Sequence, residues 1–148
     1  MCTKCQLGYS YAWIEEAKCY KDELGCPMGT FEHTAFRCRA CMENCSVCSS
    51  AITCLRCDTQ SVTPLLENEL CVSQCQVGKT PVYDNEYGQC VNCEYPCATC
   101  QEGNPDFCLT CADGDYQFLF GGQCLAECPL GTTRDLETSQ CIGCRLGC

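Results

Sequence analysis

Cysteine recurs in this chain in a fixed order of gaps, and that order limits the fold more than any other feature. Counting from Cys41, the residues between successive cysteines number 3, 2, 5, 2, 13, 3, 14 and 2. From Cys93 they number 3, 2, 7, 2, 12, 3, 12 and 2, and a further round opens at Cys144. A period of about fifty residues marks a repeat array, whose units bury too little to fold without cross-links. The register predicts four stretches: 1–40 as the back part of a unit, 41–92 and 93–143 as full units, and 144–148 as the start of another.

Residues other than cysteine follow the same register. Cys26-Pro27-Met28-Gly29, Cys75-Gln76-Val77-Gly78 and Cys128-Pro129-Leu130-Gly131 fall at equivalent places, and the pair Cys54/Cys57 matches Cys108/Cys111, with Cys2/Cys5 one period earlier. One gap departs: six residues separate Cys19 from Cys26 where the later copies have three. The insertion Tyr20 to Gly25 is therefore expected to bulge from the first unit.

Twenty-three cysteines in 148 residues point to an oxidising compartment, because a thiol-buffered cytosol keeps such a chain reduced. Zinc is the main competitor. Eight Cys-x-x-Cys pairs, Cys2/Cys5, Cys38/Cys41, Cys45/Cys48, Cys54/Cys57, Cys90/Cys93, Cys97/Cys100, Cys108/Cys111 and Cys141/Cys144, superficially resemble knuckles. Against zinc stand the single histidine, His33, and the crowding of the pairs, which leaves no clean sets of four thiolates. Thioredoxin-type chemistry needs a reactive pair at a helix start, and no helical pattern follows any of these pairs. The cysteines thus read as disulfides, with no metal and no cofactor.

The run from Cys93 to Cys144, with its Cys128-Pro129-Leu130-Gly131 step, resembles the furin-like cysteine-rich repeat. That module is seen in growth-factor receptor ectodomains, R-spondins and the tails of some proprotein convertases, and similar long arrays occur in large surface proteins of single-celled eukaryotes. The resemblance covers essentially the whole chain. It implies a connectivity that spacing cannot select: Cys41 with Cys48, Cys45 with Cys54, Cys57 with Cys71 and Cys75 with Cys90. In the next copy it implies Cys93 with Cys100, Cys97 with Cys108, Cys111 with Cys124 and Cys128 with Cys141. In the first, partial copy it implies Cys5 with Cys19 and Cys26 with Cys38.

Bridges of this kind close small loops, each restricting the unfolded chain by about 2–4 kcal/mol, and so replace an absent hydrophobic core. The segments between paired cysteines read as hairpins. Residues 116–120 alternate before a turn at Gly121-Gly122, and Thr80 to Gln89 carries a turn signal at Asp84-Asn85. The expected fold is small, disulfide-rich and elongated: a ladder of short two-stranded β-hairpins with little or no helix.

Ten implied pairs leave Cys2, Cys144 and Cys148, which occupy positions of unfinished units and are expected to bond to cysteines outside the segment. No signal peptide opens the chain, so an internal segment of a longer secreted protein is expected. Asn44-Cys45-Ser46 is an N-glycosylation sequon whose middle cysteine leaves its occupancy open. Tyr9, Tyr11 and Trp13 alternate along the first hairpin as Tyr116, Phe118 and Phe120 do along the last. Either set presents an aromatic strip to a protein or glycan, or packs over the neighbouring bridge. Asp113-Gly114-Asp115 lacks the remaining ligands of a calcium loop and reads as a turn.

A net charge of −10 argues against nucleic acid and anionic lipid, and no stretch has the length of a membrane span. His33 lies in a hairpin with no nucleophile elbow or metal motif to complete it, so no catalytic residue is assigned and the chain does not read as an enzyme. Two functions remain open for an extracellular, secreted or cell-surface segment. One is structural: a spacer, stalk, coat or filament whose partners are other extracellular proteins or copies of itself. The other is a protein-binding module of a receptor ectodomain or secreted ligand, with glycans as further candidate partners.

Overall fold

The computed structural model describes residues 11–13, 18–20, 25–34 and 37–144. Among the described residues there is no helix. The strands are β1 (Tyr11–Trp13), β2 (Lys18–Tyr20), β3 (Thr30–Thr34), β4 (Arg37–Ala40), β5 (Cys45–Ser50), β6 (Thr53–Cys57), β7 (Leu65–Glu67) and β8 (Leu70–Val72). They continue as β9 (Lys79–Asp84), β10 (Tyr87–Asn92), β11 (Cys97–Gln101), β12 (Asn104–Cys111), β13 (Phe118–Phe120), β14 (Gln123–Leu125), β15 (Thr132–Asp135) and β16 (Gln140–Gly143). The fold is a small disulfide-rich β fold of hairpins.

Tight turns set the hairpins. Asn68 and Glu69 between β7 and β8, and Gly121 and Gly122 between β13 and β14, all have positive φ. Two successive left-handed residues match the twist of the flanking strands, which is why such pairs close two-residue hairpins. Between β9 and β10 the left-handed pair is Asn85 and Glu86, one residue beyond the expected Asp84-Asn85 signal.

By its contacts the chain divides into two compact units, 1–74 with 84–89 and 75–83 with 90–148. In the first, β5 and β6 form a two-stranded hairpin, and another sheet has the order β2-β1-β4-β3. Its central contact is a short parallel one, with Ala12 facing Arg37 and Trp13 facing Cys38. The same join places β10 beside β7, Gly88 facing Leu65 and Gln89 facing Leu66. In the second unit β11 and β12 form a two-stranded hairpin and the last sheet runs β14-β13-β16-β15, with Leu119 facing Gln140 across the parallel join. Two of the expected two-stranded ribbons, β5 with β6 and β11 with β12, stand as such, while the other hairpins share edges through parallel pairs. A lone hairpin leaves a row of unpaired amides and carbonyls on each side, and even one or two parallel pairs satisfy part of that row.

What is buried is mostly cystine. In the first unit Phe31, Cys45, Cys48, Cys54 and Cys57 form a buried cluster, with Cys41, Met42, Leu66 and Cys71 packed around it. In the second, Cys108, Phe118, Cys124 and Cys141 are buried, together with the polar Thr80.

Nine disulfides join described residues. In the first unit they are Cys26–Cys38, Cys41–Cys48, Cys45–Cys54 and Cys57–Cys71. In the second they are Cys75–Cys90, Cys93–Cys100, Cys97–Cys108, Cys111–Cys124 and Cys128–Cys141. Cys19 is also disulfide-bonded. Cys5, Cys2, Cys148 and most of the Tyr20–Gly25 insertion lie outside the described residues.

Backbone hydrogen bonds repeat with the register. The amides of Cys41, Cys93 and Cys144 donate to the carbonyls of Gly29, Gly78 and Gly131, at 2.8, 2.8 and 3.0 Å. Asp58 donates to Asn44 and Ala112 to Pro96, each at 2.8 Å, across the base of the hairpin that follows. These bonds fix where each disulfide loop meets the next.

Candidate partner surface and modification sites

Aromatic side chains at hairpin ends are the first candidates. Tyr116 lies just before β13 rather than in it, half-exposed, with its ring edge-on to that of Tyr95 at 6.4 Å and 87°. Phe120, last in β13, is also open to solvent. Phe118 is not: only 7% of it is exposed, and the Arg134 guanidinium lies 4.6 Å from its ring centre. The three rings therefore do not form one strip. Alternation puts residues on one face only within a strand, and this strand is three residues long, with its first ring covered by Arg134 and its last projecting at the turn. Tyr9 lies outside the described residues, as do the side chains of Tyr11 and Trp13 on β1.

Tyr95 is the residue that the sequence reading missed. The residue is 72% exposed and lines a groove of about 220 Å³ with Glu94, Pro96, Asp106, Gln123 and Leu125. The loop Glu94–Pro96 is pinned by the Cys97 amide, which donates to the Glu94 carbonyl at 2.8 Å, while the Glu94 amide donates to Pro105 at 2.7 Å. This small groove combines two carboxylates, an exposed ring and an aliphatic side chain, a mixture suited to a side chain of a protein partner rather than to an enclosed small molecule. The signal in the sequence was an aromatic residue before proline in the short loop between Cys93 and Cys97.

The sequon Asn44-Cys45-Ser46 sits where β5 begins. Asn44 is left-handed, with φ at 62°, and is partly exposed. The Ser46 hydroxyl reaches the carbonyls of Arg56 and Cys57 at 3.1 and 3.2 Å, and Cys45 is buried in its bond to Cys54. Both sequon partners of Asn44 are thus engaged in the folded hairpin. Asp113 and Asp115 lie in an exposed bend, and exposed His33 meets the Phe31 ring edge-on at 6.1 Å.

Among the described residues, sulfur is concentrated at one place. The Sγ atoms of Cys45, Cys54 and Cys71 all lie within 4.8 Å of one another, and those of Cys54 and Cys71, which belong to different disulfides, are 3.5 Å apart. Sulfur held in a disulfide offers no thiolate to a metal. Two S–S bonds therefore stack here.

One carboxylate is tuned by its turn. Asp135 lies below the usual aspartate range because the Glu137 amide donates to it at 2.9 Å, with the Thr138 side chain and amide adding to the effect.

Residues 42–141 match the model of the cysteine-rich furin-like repeat. The chain is 32% identical over 125 residues to furin-like protease 2 of Drosophila melanogaster, covering 83% of this chain and 7% of that protein. It is 28% identical over 138 residues to cysteine repeat modular protein 2 of Tetrahymena thermophila, covering 86% of this chain and 7% of that one. To human R-spondin-3 it is 29% identical over 109 residues, covering 70% of this chain and 39% of the relative. The chain thus spans a small part of the length of these relatives.

Proposed function

Because the chain belongs to the cysteine-rich furin-like repeat family, we propose that it is a structural segment of a longer extracellular protein, a spacer or stalk made of disulfide-stacked modules. In this reading the modules are 41–92 and 93–143, with 1–40 and 144–148 as parts of their neighbours. The observation that carries it is how little chain is free to extend. Between Cys26 and Cys141 only the runs 39–40, 55–56, 72–74, 91–92, 109–110 and 125–127 lie outside a disulfide-closed loop. Covalent loops resist tension after every hydrogen bond has yielded, whereas a weakly cored domain of this size would unravel. Other extracellular proteins or further copies of the chain are its partners, and the non-catalytic role of the segment follows from the same reading.

The test is single-molecule extension of the oxidised chain. Without reductant, it should lengthen only by the short free runs and the termini. With a strong thiol reductant, it should reach the contour of the full chain. Complete extension without reductant would defeat the structural reading.

A second reading, a protein-binding module, is favoured by the groove beside Tyr95 and Tyr116. It places the contact at exposed rings, Tyr95, Tyr116 and Phe120, and leaves buried Phe118 to support them. If this reading holds, Tyr95→Ala and Tyr116→Ala should abolish retention of the oxidised chain on the cell surface without changing its disulfides. Unchanged retention by both variants would defeat it. A glycan at Asn44 has to be added before β5 and β6 pair, since folding engages Ser46.

A further inference from the structure

We propose that Cys45, Cys54, Cys57 and Cys71 form a disulfide-exchange centre, in which a small thiol converts the pairing Cys45–Cys54 with Cys57–Cys71 into Cys45–Cys57 with Cys54–Cys71. Three placements carry it. The sulfurs of Cys54 and Cys71 lie 3.5 Å apart although neither is bonded to the other. Cys45 and Cys57 face each other as Cα partners across β5 and β6. Residues directly opposite in an antiparallel pair are about 4.5–5.5 Å apart at Cα, within the roughly 4.4–6.8 Å that a disulfide spans. The Cys54 amide already donates to the Glu69 carbonyl at 2.9 Å, which holds β6 against the turn leading into β8 and Cys71. Both new bonds therefore join residues that the backbone has brought together.

Access decides where the exchange begins. Cys45, Cys54 and Cys57 are buried, whereas Cys71 is only partly buried. A thiolate of the glutathione class attacks Cys71 Sγ, the Cys57–Cys71 bond breaks, and its electron pair leaves on Cys57 while Cys71 is capped as a mixed disulfide. The Cys57 thiolate attacks Cys45 Sγ, forms Cys45–Cys57 and releases the Cys54 thiolate. Cys54 then attacks Cys71 Sγ, forms Cys54–Cys71 and returns the small thiolate. Two disulfides exist before and after, nothing is oxidised or reduced overall, and the thiol acts as a catalyst. The hairpin of β7 and β8 ends attached at Cys54 instead of Cys57, and the hairpin of β5 and β6 is closed across its open end.

The second register copy supplies an internal control. Cys97–Cys108 and Cys111–Cys124 repeat the pairing, and Cys97 faces Cys111 across β11 and β12. Yet among the described residues only Cys45, Cys54 and Cys71 form a group of three mutually close sulfurs. Exchange therefore belongs to the first copy and not to the second.

Trypsin reads the outcome directly, because Arg56 is exposed and lies between Cys54 and Cys57. In the resting pairing the fragment 40–56 holds its bonds internally and separates from 57–79; after exchange both new bonds tie the two fragments together. The whole oxidised chain is incubated anaerobically with reduced glutathione below stoichiometric amounts, alkylated and digested. The bridged fragment should rise at least about tenfold over the thiol-free control, with the total thiol unchanged. Cleavage of the same sample with chymotrypsin at Leu109 should show no equivalent bridge between Cys97–Cys108 and Cys111–Cys124. Absence of the first bridge, or equal bridging in both copies, overturns the proposal. The variant Cys57→Ser tests it without added thiol: Cys71 should displace Cys45 from Cys54, leaving Cys45 open to alkylation and 40–56 tied to 57–79. An intact Cys45–Cys54 bond with Cys71 alkylated overturns it equally.

Discussion

Phe31 and Thr80 occupy the same place in successive copies, two residues beyond the glycine of Cys26–Gly29 and of Cys75–Gly78, and they fill that place in opposite ways. Phe31, 8% exposed, is packed among Cys45, Cys48, Cys54 and Cys57. Thr80, 2% exposed, donates its hydroxyl to the Gln101 carbonyl at 3.1 Å and accepts the Gly103 amide at 2.9 Å. One copy meets the next disulfide loop with a ring on sulfur; the other meets it with a hydroxyl between two backbone groups. Covalent bonds already hold the loops in place, so the position needs only a plug that leaves no void and no orphaned polar atom. The two plugs differ in worth. Burial of a ring scales with its apolar area, whereas a hydrogen bond mainly exchanges one made with water.

The largest effect should come from removing the ring. Phe31→Ala leaves a cavity against the Cys45–Cys54 bond and should cost about 3–5 kcal/mol in denaturant unfolding under oxidising conditions. The loss should be concentrated in amide exchange over β5 and β6, because their covalent loops stay closed. A cost below about 1 kcal/mol would show that disulfides alone carry this contact and would erase the contrast with Thr80.

The turns that follow sharpen the comparison. The Cys54 amide donates to Glu69 at 2.9 Å and the Cys108 amide to Gly122 at 2.7 Å, so the two turns dock alike. Glu69 adopts a left-handed conformation with φ at 66°, which shows that conformation alone does not demand glycine here. What demands it at Gly122 is the Phe107 ring, which fills the space a Cβ would enter. The residue before the cysteine in the first copy is Thr53 instead. Gly122→Glu should cost about 1–3 kcal/mol by overpacking. Adding Phe107→Thr, which copies the Thr53 and Glu69 pair, should recover about 1–2 kcal/mol as a coupling energy in a double-mutant cycle. Strictly additive costs would sink this account.

Thr80→Val should be milder than either. It keeps the shape but strands the Gly103 amide and the Gln101 carbonyl, at a cost of about 1–2 kcal/mol, while Thr80→Ser should recover most of it. A neutral Thr80→Val would mean that water reaches these groups, and the second copy would then have no plug comparable to Phe31.

The repeat itself was legible in the sequence because the cysteine gaps recur, whereas which cysteines pair came from the family resemblance and not from the spacing. The nine bonds join cysteines at matching positions of the register, and Gly121-Gly122 announces its hairpin in composition alone. Thr80 was illegible for a physical reason. A threonine after a turn looks like a solvent-facing strand residue, and only the return of residues 101–103 over it makes it buried. Tyr116 and Phe118 misled in the same way, since their alternation says nothing of where a three-residue strand begins or of Arg134 covering the second ring. The stacked sulfurs of Cys54 and Cys71 depend on distance between loops, which gaps along the chain do not encode.

The smallest expected effect concerns the last hairpins of the two copies. Between β9 and β10 the turn is set by two left-handed residues, Asn85 and Glu86. Between β15 and β16 it spans 136–139 and leans on Asp135, whose carboxylate accepts the Glu137 amide at 2.9 Å and the Thr138 amide at 3.4 Å. These donors hold the Asp135 pKa below its ordinary 3.8. A carboxyl depressed in the folded state adds stability above its unfolded pKa, and that contribution fades as pH falls through the folded value. Acid should therefore loosen residues 136–139 as pH falls through the folded value of Asp135. In an amide titration from about pH 5 down to about pH 1, Glu137 and Thr138 should move with a midpoint below 3.8. Asp135→Asn should keep the turn, since an asparagine side chain accepts the same amides, and should flatten the titration. A midpoint at or above 3.8, or an unchanged titration in Asp135→Asn, would remove the carboxylate from the account of the second turn and leave its contrast with the left-handed pair Asn85 and Glu86 without a basis.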